Sequence, residues 1–368
     1  MKILLISNLF PSNKSPSFGT FVKTNFEQLK SMAFDVDLCV IDEKSNNFFE
    51  KAYNYLLFFF LQFKQFLIYP KKYDIYYIHY LTISTLPLYI SMKIFRVRVR
   101  YFINVHGDDL VGSSLKHRIL SIPSKYILAH AEGVVVPSEF FKKILLEKFG
   151  NVIEVEKLCV NNSGGVDTNR FKRKEFDSER LYLESKPKVF GYVGRIEEGK
   201  GWDDFLDAIL KIEKSIEAQF HIYGGGQQVS QLIERIGGMD DKLHVKYFGE
   251  ACYSEIPQIM ASFDYLVFPT HRESLGLVGL EAASVGIPVI RTRIAVLDSI
   301  FWPFEFLSFC HGDIDALADL ISYTSTIGYQ NYLKLSESHS ELASQYSYDR
   351  SCQILFNFIN GHCNERMH

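Results

Sequence analysis

Short apolar runs alternate with longer stretches of helical spacing along most of the chain, the pattern of βα units around a parallel sheet. In the first half this predicts strands at residues 2–7, 36–41, 75–79, 99–105 and 133–137, and helices at 18–32, 86–95 and 138–149. Ser138 has the chemistry of an N-cap for the last of these helices. Residues 169–188, rich in charge and poor in long apolar runs, predict a linker. Beyond it, strands are expected at 189–193, 219–223, 244–248, 265–268 and 288–290, separated by helices at 202–213, 227–236, 254–261 and 280–285. Each half thus repeats a doubly wound α/β architecture. The expected organisation is a first domain over 1–168, the linker, a second domain over 189–340, and a C-terminal helix within 341–368 that packs back toward the first. In such sheets ligands sit outside the carboxyl ends of the strands, so two facing halves would enclose a cleft.

Composition narrows the class. The chain has 368 residues, more than one hydrophobic core usually spans, and 47% hydrophobic with 23% charged residues excludes general disorder. Its six cysteines are scattered, with no C-x-x-C pair and no clustered histidine, so neither zinc nor a disulfide framework is signalled. The apolar start is too short for a signal peptide and reads as a buried strand. The strongest membrane candidate, residues 53–69, contains Gln62, Lys64 and Gln65 and falls short of a spanning helix. The net charge of −3 hides an asymmetry: residues 1–165 carry 20 Lys and Arg against 14 Asp and Glu. A basic first half fits an anionic membrane surface or a phosphate-bearing acceptor, and equally an ordinary solvated face.

Three segments carry candidate chemistry. In the first, a strand ending at Val193 runs into Gly194, Arg195, Gly199, Lys200 and Gly201, then a helix. Backbone amides at that helix start, with Arg195 and Lys200, suit a diphosphate. The spacing approaches a P-loop, but Gly201 stands where a magnesium-binding Ser or Thr belongs. A second cluster, Gly224 to Gly226, also follows a strand but lacks the third glycine of a dinucleotide fingerprint, since Val229 occupies that position. The third joins Glu273, Ser274, Leu275, Gly276, Leu277 and Glu281. Glu281 lies in an otherwise apolar stretch, where an unpaired carboxylate is expensive to bury, so it needs a partner such as a ribose diol. The plainer reading is a capping carboxylate at a helix start.

These segments, in this order, resemble the retaining glycosyltransferases of family four, with the GT-B fold of two facing Rossmann-like domains. Their signatures are a glycine-arginine-lysine-glycine turn and an E-x7-E element. The resemblance extends to Pro11 and Phe18 to Thr20, to Val105 through Asp109, to Gly165 through Phe171, and to Tyr346 through Asp349. It departs at the first loop, where Gly19 stands alone instead of paired, at Leu275, where Phe is common, and after Ile290, where Arg291 and Arg293 replace a glycine-rich segment.

The resemblance implies a role for each matching residue. Arg195 and Lys200 neutralise the donor diphosphate in place of a metal, and no cofactor is required. Glu281 binds the ribose hydroxyls, and Glu273 contacts the transferred sugar. The backbone of Ser274, Leu275, Gly276 and Leu277 lines sugar and phosphate, and Gly194, Gly224 and Gly249 form donor-binding loops. His106 faces the sugar and Gly19 approaches the donor. The implied donor is a UDP- or GDP-sugar and the acceptor a glycan or polyprenol-diphosphate-linked glycan in bacterial surface polysaccharide assembly. Nucleic acid is not an expected partner. The expected place is the cytoplasm, peripheral on the inner face of the plasma membrane. An inverting reaction with Asp108 or Asp109 as base, a nucleotide-sugar epimerase and a non-catalytic nucleotide-sugar-binding protein are the competing readings.

Overall fold

The computed structural model describes residues 1–15, 18–45, 47–111, 115–173, 187–212 and 216–364. It divides into two compact units, Met1–Gly164 with Asp349–His368, and Gly165–Tyr348.

The first unit is built on β1 (Lys2–Ser7), β2 (Asp35–Val40), β3 (Ile75–His79), β4 (Tyr101–Asn104), β5 (Gly133–Val136) and β6 (Leu158–Val160). All pair in parallel, in the order β2-β1-β3-β4-β5-β6. Successive residues of a strand point to opposite faces. Accordingly Leu4, Ile6, Tyr76, Ile78 and Ile103 fill one core, while Ile3, Leu5, Ile75, Tyr77 and Phe102 fill the other. Burial on both faces is why these strands read as unbroken apolar runs. Ser138 caps the helix Glu139–Phe149 by accepting from the Phe141 amide. The last helix, Tyr348–Asn364, buries Leu355 and Ile359 against Ile3, Leu5 and Phe102.

The second unit carries β7 (Lys188–Val193), β8 (Ala218–Tyr223), β9 (Val245–Tyr247), β10 (Tyr265–Phe268), β11 (Val289–Arg293) and β12 (Ser308–Cys310), ordered β12-β11-β10-β7-β8-β9. These too are all parallel. The chain builds outward on one side of β7 and then returns to build outward from β10 on the other. The order reverses between β7 and β10, and in the first unit between β1 and β3. Such switch points leave a crevice at the carboxyl ends of the strands, because the two neighbouring connections leave on opposite faces.

The chain crosses between units at 164/165 and 348/349, where the pattern predicted 168 and 340. The cause is a backbone ladder: the Val166 amide donates to the Tyr346 carbonyl (2.8 Å) and the Tyr348 amide to the Val166 carbonyl (2.7 Å), holding both crossings in the second unit. Most of the predicted linker, residues 174–186, lies outside the described residues, as does Glu213 at the end of the helix that the structure forms as Trp202–Lys211. Strands β6 and β12 have three residues each, too short to register as a period. Strand β11 continues through Arg291 because that side chain, 1% exposed, is ion-paired with Asp298.

Candidate functional site

Of the residues singled out from the second half of the sequence, the crevice between β7 and β10 brings Lys200 and Glu273 together. The loop after β7 brings Lys200 and the loop after β10 brings Glu273, and the Lys200 Nζ lies 2.6 Å from Glu273 Oε1. Thr270 Oγ1 also donates to that oxygen, at 3.1 Å. The pair is largely shielded, with the side chains about one-fifth exposed, so the lysine is held in place rather than sampling solvent. Arg195 is not brought to this pair. Its side chain is 66% exposed and bonds Glu197 at 2.8 Å.

Gly201 makes the close approach of the two loops feasible. Its φ is +70°, and a Cβ there would lie 2.0 Å from the Pro269 carbonyl oxygen. Gly199, at φ +78°, has open space around the same position. Gly201→Ala should therefore destabilise the second unit by about 1–3 kcal/mol or more, and Gly199→Ala only by the backbone strain of about 1 kcal/mol. Thermal melts of the two variants check this, and equal losses would contradict the assigned contact.

Two helix starts flank the crevice, and their charges differ. The helix Trp202–Lys211, expected to offer its amides to a diphosphate, has Asp203 and Asp204 in its first turn, and Asp204 holds His271 at 2.8 Å. Its positive end is already matched by carboxylates. The helix Leu277–Val285 has no acid in its first turn and is capped by Gly276. Its leading amides precede the first helical bond, so this start is the one suited to an anion. Leu275 is buried in the core at 1% exposure, and among its neighbours Ser274, Gly276 and Leu277 it contributes backbone only.

The glycine corners after β7, β8 and β9 are laced together. The Gly194 amide donates to the Tyr223 carbonyl (3.1 Å) and the Gly224 amide to the Gly249 carbonyl (2.9 Å). Tyr223 and Phe248 stack beside them, ring centroids 4.6 Å apart.

Glu281 sits in the middle of the helix Leu277–Val285, 8% exposed, so it is not a cap. Tyr253 donates its hydroxyl to Glu281 Oε1 at 3.0 Å. Burial raises the carboxyl to about 7, against the lowering effects of the Tyr253 bond and the nearby Arg170 charge. The segment from Gly165 to Phe171 supports this arrangement. Asp167 Oδ1 accepts from the Asn169 and Arg170 amides, Ser284 bonds the Phe171 carbonyl at 2.6 Å, and Arg170 lies 4.9 Å over the Tyr253 ring. Tyr253 and Arg170 were not identified from sequence as site residues, because no period or spacing ties them to Glu281, and Thr270, three residues before Glu273, carries no pattern that marks it.

In the first unit, His106 follows β4 and contacts His79, the last residue of β3. His79 Nδ1 and His106 Nε2 are 2.8 Å apart. Burial holds His106 down to about 3 and His79 well below its usual value, so both rings are neutral and share one proton across this bond. His79 Nε2 is buried without a hydrogen-bond partner among the described residues. An unmatched lone pair costs less there than an unmatched N–H, which makes His79 the donor and leaves the proton of His106 on Nδ1. Phe21 and Tyr80 enclose the His106 ring at 4.6 and 4.7 Å. Asp109 is committed to backbone: its oxygens accept from the Leu81 and His106 amides. The Asp108 side chain lies outside those described. Gly19 meets a requirement of the fold itself, capping the helix Thr20–Ser31 at φ +80° with Leu9 against it. A histidine ending a predicted strand was the one signal that could have pointed to His79.

Comparison with known proteins adds the following. Residues 173–337 match the family described as glycosyl transferases group 1. The chain is 24% identical over 295 residues to the capsular polysaccharide biosynthesis glycosyltransferase CapM of Staphylococcus aureus, covering 72% of this chain and 73% of that one. It spans about half the length of several other curated relatives that it matches. The fold is similar to sucrose-phosphate synthase from Thermosynechococcus elongatus, with TM-score 0.74 at 18% identity over 98% of both chains. It is also similar to Anabaena HepE in complex with UDP-glucose, with TM-score 0.71 at 17% identity over 98% of this chain and 100% of that one. These likenesses establish two Rossmann-like units of the GT-B type.

Proposed function

We propose that this chain, a member of the group 1 glycosyl transferases over residues 173–337, moves a sugar from a nucleotide-diphosphate sugar to a hydroxyl acceptor with retention of configuration. The observation that carries the reading is the Lys200–Glu273 pair at the β7/β10 switch point, beside a helix start without acid. Lys200 and the leading amides of the helix Leu277–Val285 receive the diphosphate, and their charge stabilises it as it departs. Arg195 reaches the same group by leaving Glu197. Glu273 holds Lys200 and contacts the transferred sugar. Glu281 takes the ribose hydroxyls, a role that its burial and single tyrosine bond support. The acceptor hydroxyl attacks from the face that the diphosphate leaves, and the leaving phosphate takes its proton. Asp109, bound to two backbone amides, is poorly suited to act as a base.

UDP is the favoured nucleotide because Anabaena HepE is solved with UDP-glucose, and GDP is its competitor. A role in bacterial surface polysaccharide assembly, on a glycan or polyprenol-diphosphate-linked acceptor at the cytoplasmic face of the membrane, draws support from the name of the Staphylococcus aureus relative. The cationic side chains act in place of a metal. Calorimetry with UDP and GDP in excess chelator tests this reading. Binding of one nucleotide should persist, and binding that appears only on adding manganese would contradict it.

A further inference from the structure

The helix Phe48–Phe63 is apolar on both sides. Its inner face is ordinary: Tyr55, Phe58 and Phe59 pack on the first unit's core, and Phe66 continues that row through the following turn Lys64–Ile68. Its outer face should be polar, as on other surface helices. Instead Phe49 (83% exposed), Tyr53 (65%), Leu56 (69%), Phe60 (64%) and Ile68 (63%) form a continuous row facing outward. The helix Leu86–Phe95 lies alongside and adds exposed Ile94 and Phe95 at its end. A contiguous apolar patch of this kind on a folded unit marks an interaction surface.

Charge identifies the partner. From the start of the helix, residues 48–107 contain eight Lys and Arg against two acids, Glu50 and Asp74. Lys51, Lys64, Lys71, Lys72, Lys93 and Arg96 are all exposed, on or next to the same two helices. A second copy docking through this face by twofold symmetry would bring the same cations against one another. An anionic bilayer offers both a negative headgroup layer for the cations and an acyl boundary for the aromatic row. No described helix is long and apolar enough to cross a membrane.

We propose that the outer face of Phe48–Phe63 and the adjoining end of Leu86–Phe95 dock the first unit onto the surface of an anionic lipid bilayer. The helix lies in the interface plane, with Phe49, Tyr53, Leu56 and Phe60 inserted and the lysines among the headgroups. This deepens the transferase reading, on which it rests only for the idea that a lipid-linked acceptor is reached from that surface.

The test is sedimentation of the full chain with vesicles of phosphatidylcholine alone or mixed equally with phosphatidylglycerol, with UDP binding measured on the same preparation. The chain should sediment with the mixed vesicles at low salt and be released at high salt. Phe49→Ser combined with Phe60→Ser, both at exposed positions, should lower the bound fraction at least about tenfold, and Lys64→Gln, Lys71→Gln and Lys72→Gln together should do the same, since each signal alone gives only weak attachment. Failure of the chain to sediment would overturn the proposal, as would equal binding by the variants. A concentration-dependent dimer lost in the Phe49→Ser, Phe60→Ser variant would make the face a contact between copies and overturn it too. UDP binding should be unchanged in every variant, so vesicle binding and the transferase reading succeed or fail separately.

Discussion

Lys200→Ala is expected to lower kcat by roughly 10²–10³-fold while weakening donor binding far less, the loss typical of removing one preorganised charge-stabilising group. The lysine is fixed against Glu273 at 2.6 Å and shielded by the two loops that meet at the switch point. In the proposed function it meets the growing charge on the diphosphate already held in place, and that interaction would strengthen as the bond to the sugar breaks. Arg195→Ala should also act on kcat but less, because Arg195 starts from an exposed pair with Glu197 and must be drawn in. Steady-state kinetics beside calorimetric donor binding separate the effects. An unchanged kcat in Lys200→Ala, or a loss confined to donor affinity, would remove this lysine from the charge-stabilising role.

Glu281→Gln should weaken donor binding by about 1.5–3 kcal/mol, roughly 10- to 150-fold, the worth of hydrogen bonds to a charged group, with little change in kcat. The pH dependence sharpens this expectation. Burial raises the Glu281 carboxyl from its ordinary value to about 7. Its contribution to folding stability is thus fully present below the unfolded value and is lost as pH climbs through about 7. In the proposed function ribose hydroxyls donate to the ionised form and so would offset what ionisation costs. Donor affinity should accordingly tighten as pH rises from about 6 to about 8, and Glu281→Gln should flatten that rise. Calorimetry of donor binding across this range is the check. A wild-type affinity that falls over the range, or a variant that keeps the same slope, would detach Glu281 from the ribose.

Strands buried on both faces were the most legible part of the fold, since their inner residues must be apolar, as residues 3–6 of β1 and 75–78 of β3 are. Short edge elements were uneven: β9 and β12 have three residues each, and β9 was anticipated at 244–248 while β12, which takes its place by pairing with β11, was not. Within the site, Lys200 and Glu281 were legible because each is a charge set against glycine or apolar neighbours, and Glu273 by its E-x7-E spacing to Glu281. Their partners were not. Tyr253 and His79 lie on a different loop or strand from Glu281 and His106, and only the fold brings them within hydrogen-bond reach, whereas Thr270 lies three residues before Glu273 in the same loop with no pattern to mark it. The sequence placed the diphosphate at the helix start after Gly201, and the proposed function moves it to the start at Leu277 on charge balance. Asp203 and Asp204 already serve that turn, whereas the start at Leu277 carries no acid.

In the proposed function the second unit activates a nucleotide-diphosphate sugar at the switch point between β7 and β10. The most direct measurement incubates the chain with a panel of nucleotide sugars, with and without a lipid-linked glycan acceptor, and follows released nucleoside diphosphate and anomeric configuration by nuclear magnetic resonance. The account predicts release of nucleoside diphosphate from at least one donor, acceleration by acceptor, a product that keeps the donor's anomeric configuration, and loss of all three in Lys200→Ala. Inverted product, epimerised donor without acceptor, or no release from any donor would contradict it.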